Sequence, residues 1–262
     1  MERREQQISS ARAAQQQFGQ QAELYARSSA HVAGEGLDAI VQYASMGSYD
    51  LAVDIGTGAG FTACAIAPFA RHTLATDIAP QMLSQARGLA RQRGLDSVGL
   101  VAVEAESLPF AAGSVDAVTC RQAAHHFHDL RGAVAEIWRV LKPGGVFIFT
   151  DPTSPESDED DLWMNDVEVR RDLTHVRDLK AAEWHELLVG TGFQVTHASV
   201  TKVYLEFNDW VTRAATLEEN IELLRRDFLA APPSVVASFG IRPEGEDIHF
   251  HWDVLVARGV KS

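Results

Sequence analysis

The sequence predicts an α/β fold with a mostly parallel sheet covered by helices on both faces, and three observations predict it. Short apolar runs alternate with helical patterns from about residue 50 to residue 150, the order that gives parallel strands joined by crossover helices. The first run, Leu51-Ala52-Val53, leads through Asp54-Ile55 into Gly56-Thr57-Gly58-Ala59-Gly60 and then into a helical stretch carrying Cys64, Ile66 and Phe69. The second run, His72 to Thr76, ends in Asp77, a carboxylate closing the second strand of a βαβ unit.

Taken in order, Met1 to Gln17 is rich in Arg, Gln and Glu and reads as a polar helix without the apolar segment of a secretory signal. Phe18 to Ala44 reads as two helices broken near Gly34 and Gly36. After the first two strands, Pro80 sits early in a helix, where its missing N–H is not needed, and Gly94 follows the end. Leu100 to Val103 and Val115 to Cys120 are the third and fourth strands. Val134, Ile137, Trp138 and Leu141 give the spacing of an amphipathic helix, stopped by Pro143-Gly144-Gly145 before a fifth strand, Val146 to Phe149. Beyond Asp151 comes a Pro/Ser-containing acidic run, a turn followed by a loop or a helix start, then helices over Leu162 to Arg171 and Ala182 to Val189. Phe193 to Leu205 is a long strand, followed by a short helix capped by Asn208 or Asp209. Thr216 and Glu219 form a capping-box pattern for a helix over Leu217 to Leu229, and Pro232-Pro233 breaks the chain again. Alternation across Phe250, Trp252, Val254 and Val256 makes the seventh and last strand. The organisation is a single domain: residues 1–46 a helical cover, 47–151 an α/β core, and 152–262 the rest of the core with inserts at about 152–180 and 205–245.

Composition narrows the function. A formal net charge of −13, from 23 Lys+Arg against 36 Asp+Glu, disfavours nucleic acid and anionic membrane, which need clustered positive charge. The two cysteines, Cys64 and Cys120, sit in apolar surroundings and read as small core residues in a reducing cytoplasm. No apolar run approaches the ~18 residues of a membrane span.

The glycine stretch carries the chemistry. Gly56 and Gly58 can take positive φ and let a ligand approach the backbone, and the helix that follows offers free N–H groups to an anion. The dinucleotide fingerprint Gly-x-Gly-x-x-Gly would need glycine at Phe61; here the third glycine comes one residue early, at Gly60. That register argues against a pyrophosphate and for a smaller anion, such as an amino-acid carboxylate. With Val53 to Gly60, Thr76-Asp77-Ile78, Met82, Glu104 to Phe110, Ser114 to Val118 and Leu141 to Gly145 in this order, the chain resembles the class I S-adenosylmethionine-dependent methyltransferases, in their UbiE-like branch and its YcgJ-type members.

The resemblance implies a Rossmann-like seven-stranded sheet, mostly parallel with its last strand antiparallel, a helical lid insert, S-adenosyl-L-methionine as cofactor, and a small-molecule acceptor bound by a cytoplasmic monomer or homodimer. It implies that Gly56, Thr57, Gly58 and Gly60 meet the methionine carboxylate and sugar edge, and that Asp54 holds the loop or meets the amino group through water. Asp77 suits the ribose diol, Ile78 and Met82 the adenine faces, and Ala105 with Glu106 the base-reading turn; Glu104 departs from the Asp more common there. Tyr25 and His31 fall in the segment that covers the cofactor. Arg121, next to the fourth strand, pairs with the methionine carboxylate or with substrate. His125 and His126 follow near the reacting centre, His126 also as a cofactor contact, while His128 reads as surface. A general base is needed only if the acceptor loses a proton; the candidates are His125, His126, Tyr25 and His175. No metal is expected, because Asp/Glu partners for these histidines are not recognisable. The alternative readings are a non-methylating reaction, such as a cyclisation, on the same fold, or a non-catalytic binding protein.

Overall fold

The computed structural model describes residues 12–22 and 34–262, so Tyr25 and His31 lie outside the described residues. Its sheet runs in the order β3-β2-β1-β4-β5-β8-β6, formed by β1 (Tyr49–Ile55), β2 (Ala70–Asp77), β3 (Val98–Ala102), β4 (Val115–Arg121), β5 (Leu141–Thr153), β6 (Phe193–Glu206) and β8 (Asp247–Lys261). β1 pairs in parallel with both β2 and β4, and β4 with β5. The order therefore reverses at β1, and the carboxyl ends of β1 and β4 border the crevice where open α/β sheets bind ligands. β8 enters between β5 and β6 and runs antiparallel to both.

Seven strands are expected and eight are present among the described residues. The extra one, β7 (Arg242–Glu244), is a three-residue hairpin arm on β8, too short and polar to leave a periodic signal. Two expected helix caps are replaced. The helix Phe207–Arg213 starts directly off β6, and its early N–H at Asn208 donates to the Asp247 side chain at 3.1 Å, so neither Asn208 nor Asp209 is the cap. The helix Glu218–Leu229 has no side-chain cap; Thr216 Oγ1 donates instead to the Arg171 carbonyl at 2.9 Å, a tertiary bond the local pattern does not foresee. Pro143-Gly144-Gly145 lies within β5, where the register against β4 shifts, because the helix Leu130–Val140 already ends before Leu141.

Three apolar clusters hold the fold. Val118, Phe147, Phe149, Ile137 and Trp184 join one sheet face to the helices Leu130–Val140 and Ala181–Thr191. Ile40, Tyr43, Ile66 and Ile148 fill the opposite face beneath the helix Glu35–Ala44. A third cluster, with Met164, Trp210, Phe228, Phe250 and Trp252, packs residues 158–241 onto the far half of β8. Each such aromatic side chain contributes about 1.5–3 kcal/mol on burial, so this region is a second core and not a set of loops. The acidic run is a helix start, Asp158–Arg171, in which Asp160 and Asp161 are buried and bonded to Ser238, Asn165 and Arg177. Cys64 and Cys120 are buried and free, and no helix among the described residues is long and apolar enough to cross a membrane.

Candidate active site

A cavity of about 450 Å³ lies across the carboxyl ends of the central strands, walled by the glycine loop, the turn after β4, residues 152–178 and the helix over residues 12–22. Of the residues marked on the sequence, Gly56, Thr57, Gly58, Asp77, Ile78, Met82, Ala105, Glu106, Arg121, His125, His126 and His175 all line it. Asp54 and Gly60 are not among its lining residues, and each has a structural reason.

Asp54 lies under the loop, 1% exposed. Its carboxylate accepts from Thr57 Oγ1 and Thr119 Oγ1, both at 2.6 Å, while Thr76 Oγ1 donates to its carbonyl at 2.9 Å. Burial lifts its pKa to about 6, against the pull of those two hydroxyls and the Arg121 charge. It ties three strand ends to the loop, the first of the two roles the sequence leaves open. Gly60 caps the helix Phe61–Ile66 at φ +88°, where a Cβ would stand 2.7 Å from Ala86 Cβ and 2.9 Å from its Cα. Its lack of a side chain permits the close contact with the helix that carries Ala86. Gly58 differs: at φ +53° a Cβ would meet nothing within 4 Å, so its backbone borders open cavity.

Asp77 connects loop and site. Its Oδ2 accepts from Gly58 N and its Oδ1 from Ala79 N, each at 2.9 Å, while burial raises its pKa against these bonds. The Ile78 N–H also acts on this carboxylate, and with about four lone-pair positions the group keeps acceptor capacity for a ribose hydroxyl. Ile78 and Met82 supply apolar wall beside it; Met82 also packs with Phe18, Ala22 and Ala79. The adjoining edge is built from Glu104, Ala105 and Glu106. The charge, size and apolar wall suit a ligand with an amino-acid head, a ribose and a flat base.

The other end is built by the turn after β4. Gln122 takes φ +52°, unusual for a residue with a Cβ, and donates its N–H to Thr150 O at 2.7 Å; the chain then enters a 3₁₀ turn, Ala124–His126. Arg121 is largely buried and donates from Nε to Thr62 Oγ1 at 2.8 Å. His125 Nδ1 bonds Asp151 Oδ1 at 3.0 Å. Burial opposes charge on His125, but Asp151, with Asp178 and Glu168, overcomes it and raises the pKa to about 9. His126 behaves in the opposite way: burial, then the neighbouring His125 charge, lower it to about 3. Its Nδ1 meets the Thr174 carbonyl at 3.2 Å, which fixes Nδ1 as the N–H and leaves the lone pair on Nε2. His175 completes the group, its ring centre 5.5 Å from that of His125, and burial with both histidine neighbours holds it neutral. His128 is exposed at the cavity rim, as its position suggests.

Sequence reasoning misses most of the carboxylates here. Asp151 stands at the end of β5, a position that could have been marked as Asp77 was. Asp172 accepts from Thr174 N, Thr174 Oγ1 and Gln17 Nε2, the last bond joining the N-terminal helix to the site. Glu168 accepts the indole N–H groups of Trp252 (2.6 Å) and Trp210 (3.2 Å) and pairs with Arg171 at 3.1 Å. Asp178 is 1% exposed and burial raises its pKa strongly. None of these has a local motif; tertiary packing of residues 158–252 brings them in.

Comparison with known proteins agrees with this geometry. A methyltransferase domain family matches residues 53–149. The uncharacterized methyltransferase YcgJ of Bacillus subtilis (strain 168) is 30% identical over 246 residues, 93% of this chain and 97% of its own. The uncharacterized protein YafE of Escherichia coli (strain K12) is 36% identical over 189 residues, 72% of this chain and 90% of its own. The crystal structure of YcgJ from Bacillus subtilis superposes with a TM-score of 0.82 at 30% identity, covering 86% of this chain and 97% of that one. With whole-length relatives of this kind and the loop–Asp77 arrangement on the expected strands, the chain belongs to the class I S-adenosylmethionine-dependent methyltransferases of the YcgJ-like type.

Proposed function

We propose that the chain binds S-adenosyl-L-methionine and transfers its methyl group in line to a small-molecule acceptor in the cytoplasm. The observation that carries this is the convergence, in one 450 Å³ cavity, of the Gly58 backbone and Asp77 at one end and a cluster of histidines at the other. When bound, the cofactor supplies an electrophilic methyl group on a sulfonium that leaves as a neutral thioether. Asp77 would take the ribose hydroxyls, Gly56 to Gly58 the amino-acid head, Ile78 and Met82 the base faces, with Ala105 and Glu106 at the base edge. Arg121 would answer the methionine carboxylate. Asp54 and Gly60 would act through the loop they shape. Tyr25 stays a candidate contact from the covering segment.

The acceptor end would be formed by His125 and His126 from the turn after β4, with His175 and Trp210 from the inserts at about 152–180 and 205–245 and Trp252 from β8. His126 suits an acceptor contact in geometry: its Nδ1 is occupied by Thr174, so Nε2 can accept a hydrogen bond from an acceptor hydroxyl or amine, while the burial that lowers its pKa to about 3 makes it a weak base. Alignment and exclusion of water can account for much of the rate, because in-line displacement depends steeply on the positions of the reacting atoms. An acidic chain with net charge −13 supports a small acceptor over nucleic acid, and two free buried cysteines support a reducing compartment. No observation favours the non-methylating reading. Calorimetry with the cofactor, followed by a screen of small acceptors with labelled methyl donor, tests the proposal; absence of cofactor binding overturns it.

A further inference from the structure

The acceptor end contains polar atoms that the fold leaves unsatisfied. Asp178 is 1% exposed and lines the cavity, yet neither carboxylate oxygen has a hydrogen-bond partner. His175 Nε2 is likewise without a partner and stands 3.8 Å from Asp178 Oδ2. An unpaired carboxyl group in such surroundings is destabilising, so the arrangement calls for a ligand. Around it, ligand atoms of His125, Asp151 and Asp178 lie within 4.8 Å of one another.

We propose that His125, Asp151 and Asp178 bind one divalent transition-metal ion at the acceptor end of the cavity, with His175 beside Asp178. The donor set is one imidazole nitrogen and two carboxylates, which suits manganese, ferrous iron, cobalt or zinc better than magnesium or calcium. The spacing fits as well. With bonds of about 2.1 Å, neighbouring ligand atoms are about 3.0 Å apart in an octahedral site and about 3.4 Å in a tetrahedral one, and opposite ligands are about 4.2 Å apart. His125 Nδ1 and Asp151 Oδ1, at 3.0 Å, match an octahedral edge once the proton between them is released to solvent as the ion binds. The widest spacing that the 4.8 Å limit permits among the three needs to close by only about 0.6 Å to reach that of opposite ligands.

The supporting shell is in place. Asp151 ends the buried strand β5. The His125 carbonyl accepts from Val176 N at 2.9 Å, which fixes the His175 segment against the turn after β4. Asn165 grips the backbone of Asp178 from both sides, accepting from its N–H at 2.8 Å and donating to its carbonyl at 3.2 Å. Groups held in this way keep ligand geometry without the ion. Three protein ligands leave a six-coordinate ion three positions, enough to take an acceptor oxygen and polarise it.

The test is a cobalt(II) titration of the full chain after treatment with a chelator, followed by visible absorption, with zinc as competitor. One equivalent should saturate a d–d band that zinc then removes. Asp178→Asn and Asp151→Asn should each weaken cobalt binding at least tenfold, while His185→Gln, at an exposed site, should not change it. Cofactor calorimetry on the same samples shows that the variants are folded and reads the methyltransferase proposal separately. A wild-type protein with no saturable cobalt band overturns the metal site. So does a folded Asp178→Asn variant that binds cobalt as tightly as wild type.

Discussion

Asp54 gives a prediction whose size and sign follow directly from the structure. Its pKa is about 6 in the folded chain, where burial outweighs the Thr119 and Thr57 hydroxyls and the Arg121 charge, against the ordinary carboxyl value of 3.8. The folded state therefore holds this proton more tightly than the unfolded chain. Stability must then rise as pH falls through 6 and level off near the unfolded value, the reverse of a salt-bridged carboxylate. At pH 7.5 the contribution is close to zero; at pH 5.0 about ten-elevenths of the folded molecules are protonated, which adds about 1.4 kcal/mol. Asp54→Asn removes the titration and retains the shape. Urea unfolding of both proteins at pH 7.5 and 5.0, without ligand, should show the wild type gaining about 1.4 kcal/mol relative to the variant, or about 3–5 °C in midpoint temperature. Parallel pH dependence within about 0.3 kcal/mol would refute the reasoning, because the loop would then rest on an ionised carboxylate.

Asp77→Ala should weaken cofactor binding by about 1.5–3 kcal/mol, measured by calorimetry, and also lower the midpoint without ligand, since Gly58 N and Ala79 N lose their acceptor. Gly60→Ala should destabilise by about 2–4 kcal/mol in denaturant unfolding, from left-handed backbone strain plus the clash with Ala86, whereas Gly58→Ala, with open space at its Cβ, should lose only about 1–2 kcal/mol. Glu168→Ala should destabilise by about 3–5 kcal/mol because two indole N–H groups and Arg171 lose one buried carboxylate. His126→Ala should lower turnover about a hundredfold with cofactor affinity changed by no more than a few fold; lost cofactor binding with full turnover at saturation would move His126 to the cofactor pocket.

How much of this was legible in the sequence depends on how local each signal is. The glycine loop, Asp77 and Met82 are set by one strand–turn–helix–strand unit, so residues within thirty positions fix their geometry and the sequence pattern exposes it. The strand order beyond β5 came from resemblance, since periodicity alone says only that β6 and β8 are strands. The hairpin arm Arg242–Glu244 has no apolar alternation and stayed invisible. The acceptor end is the least legible part. His125 and His126 stand out as a pair, but Asp151, Glu168, Asp172 and Asp178 reach them from separate elements up to 53 residues away, and each looks like an ordinary surface acid in a chain with 36 of them. The expected caps at Asn208 and Thr216 failed for the same reason: a distant partner, Asp247 or the Arg171 carbonyl, took the bond that local chemistry would have made.

The most direct test of the account is calorimetric titration of S-adenosyl-L-methionine and its demethylated product into the wild-type chain and Asp77→Ala. The account predicts one site per chain, affinity in the micromolar range for the wild type, and a loss of about ten- to hundredfold in the variant. No binding by a folded wild-type protein, or equal affinity in the two proteins, would contradict it.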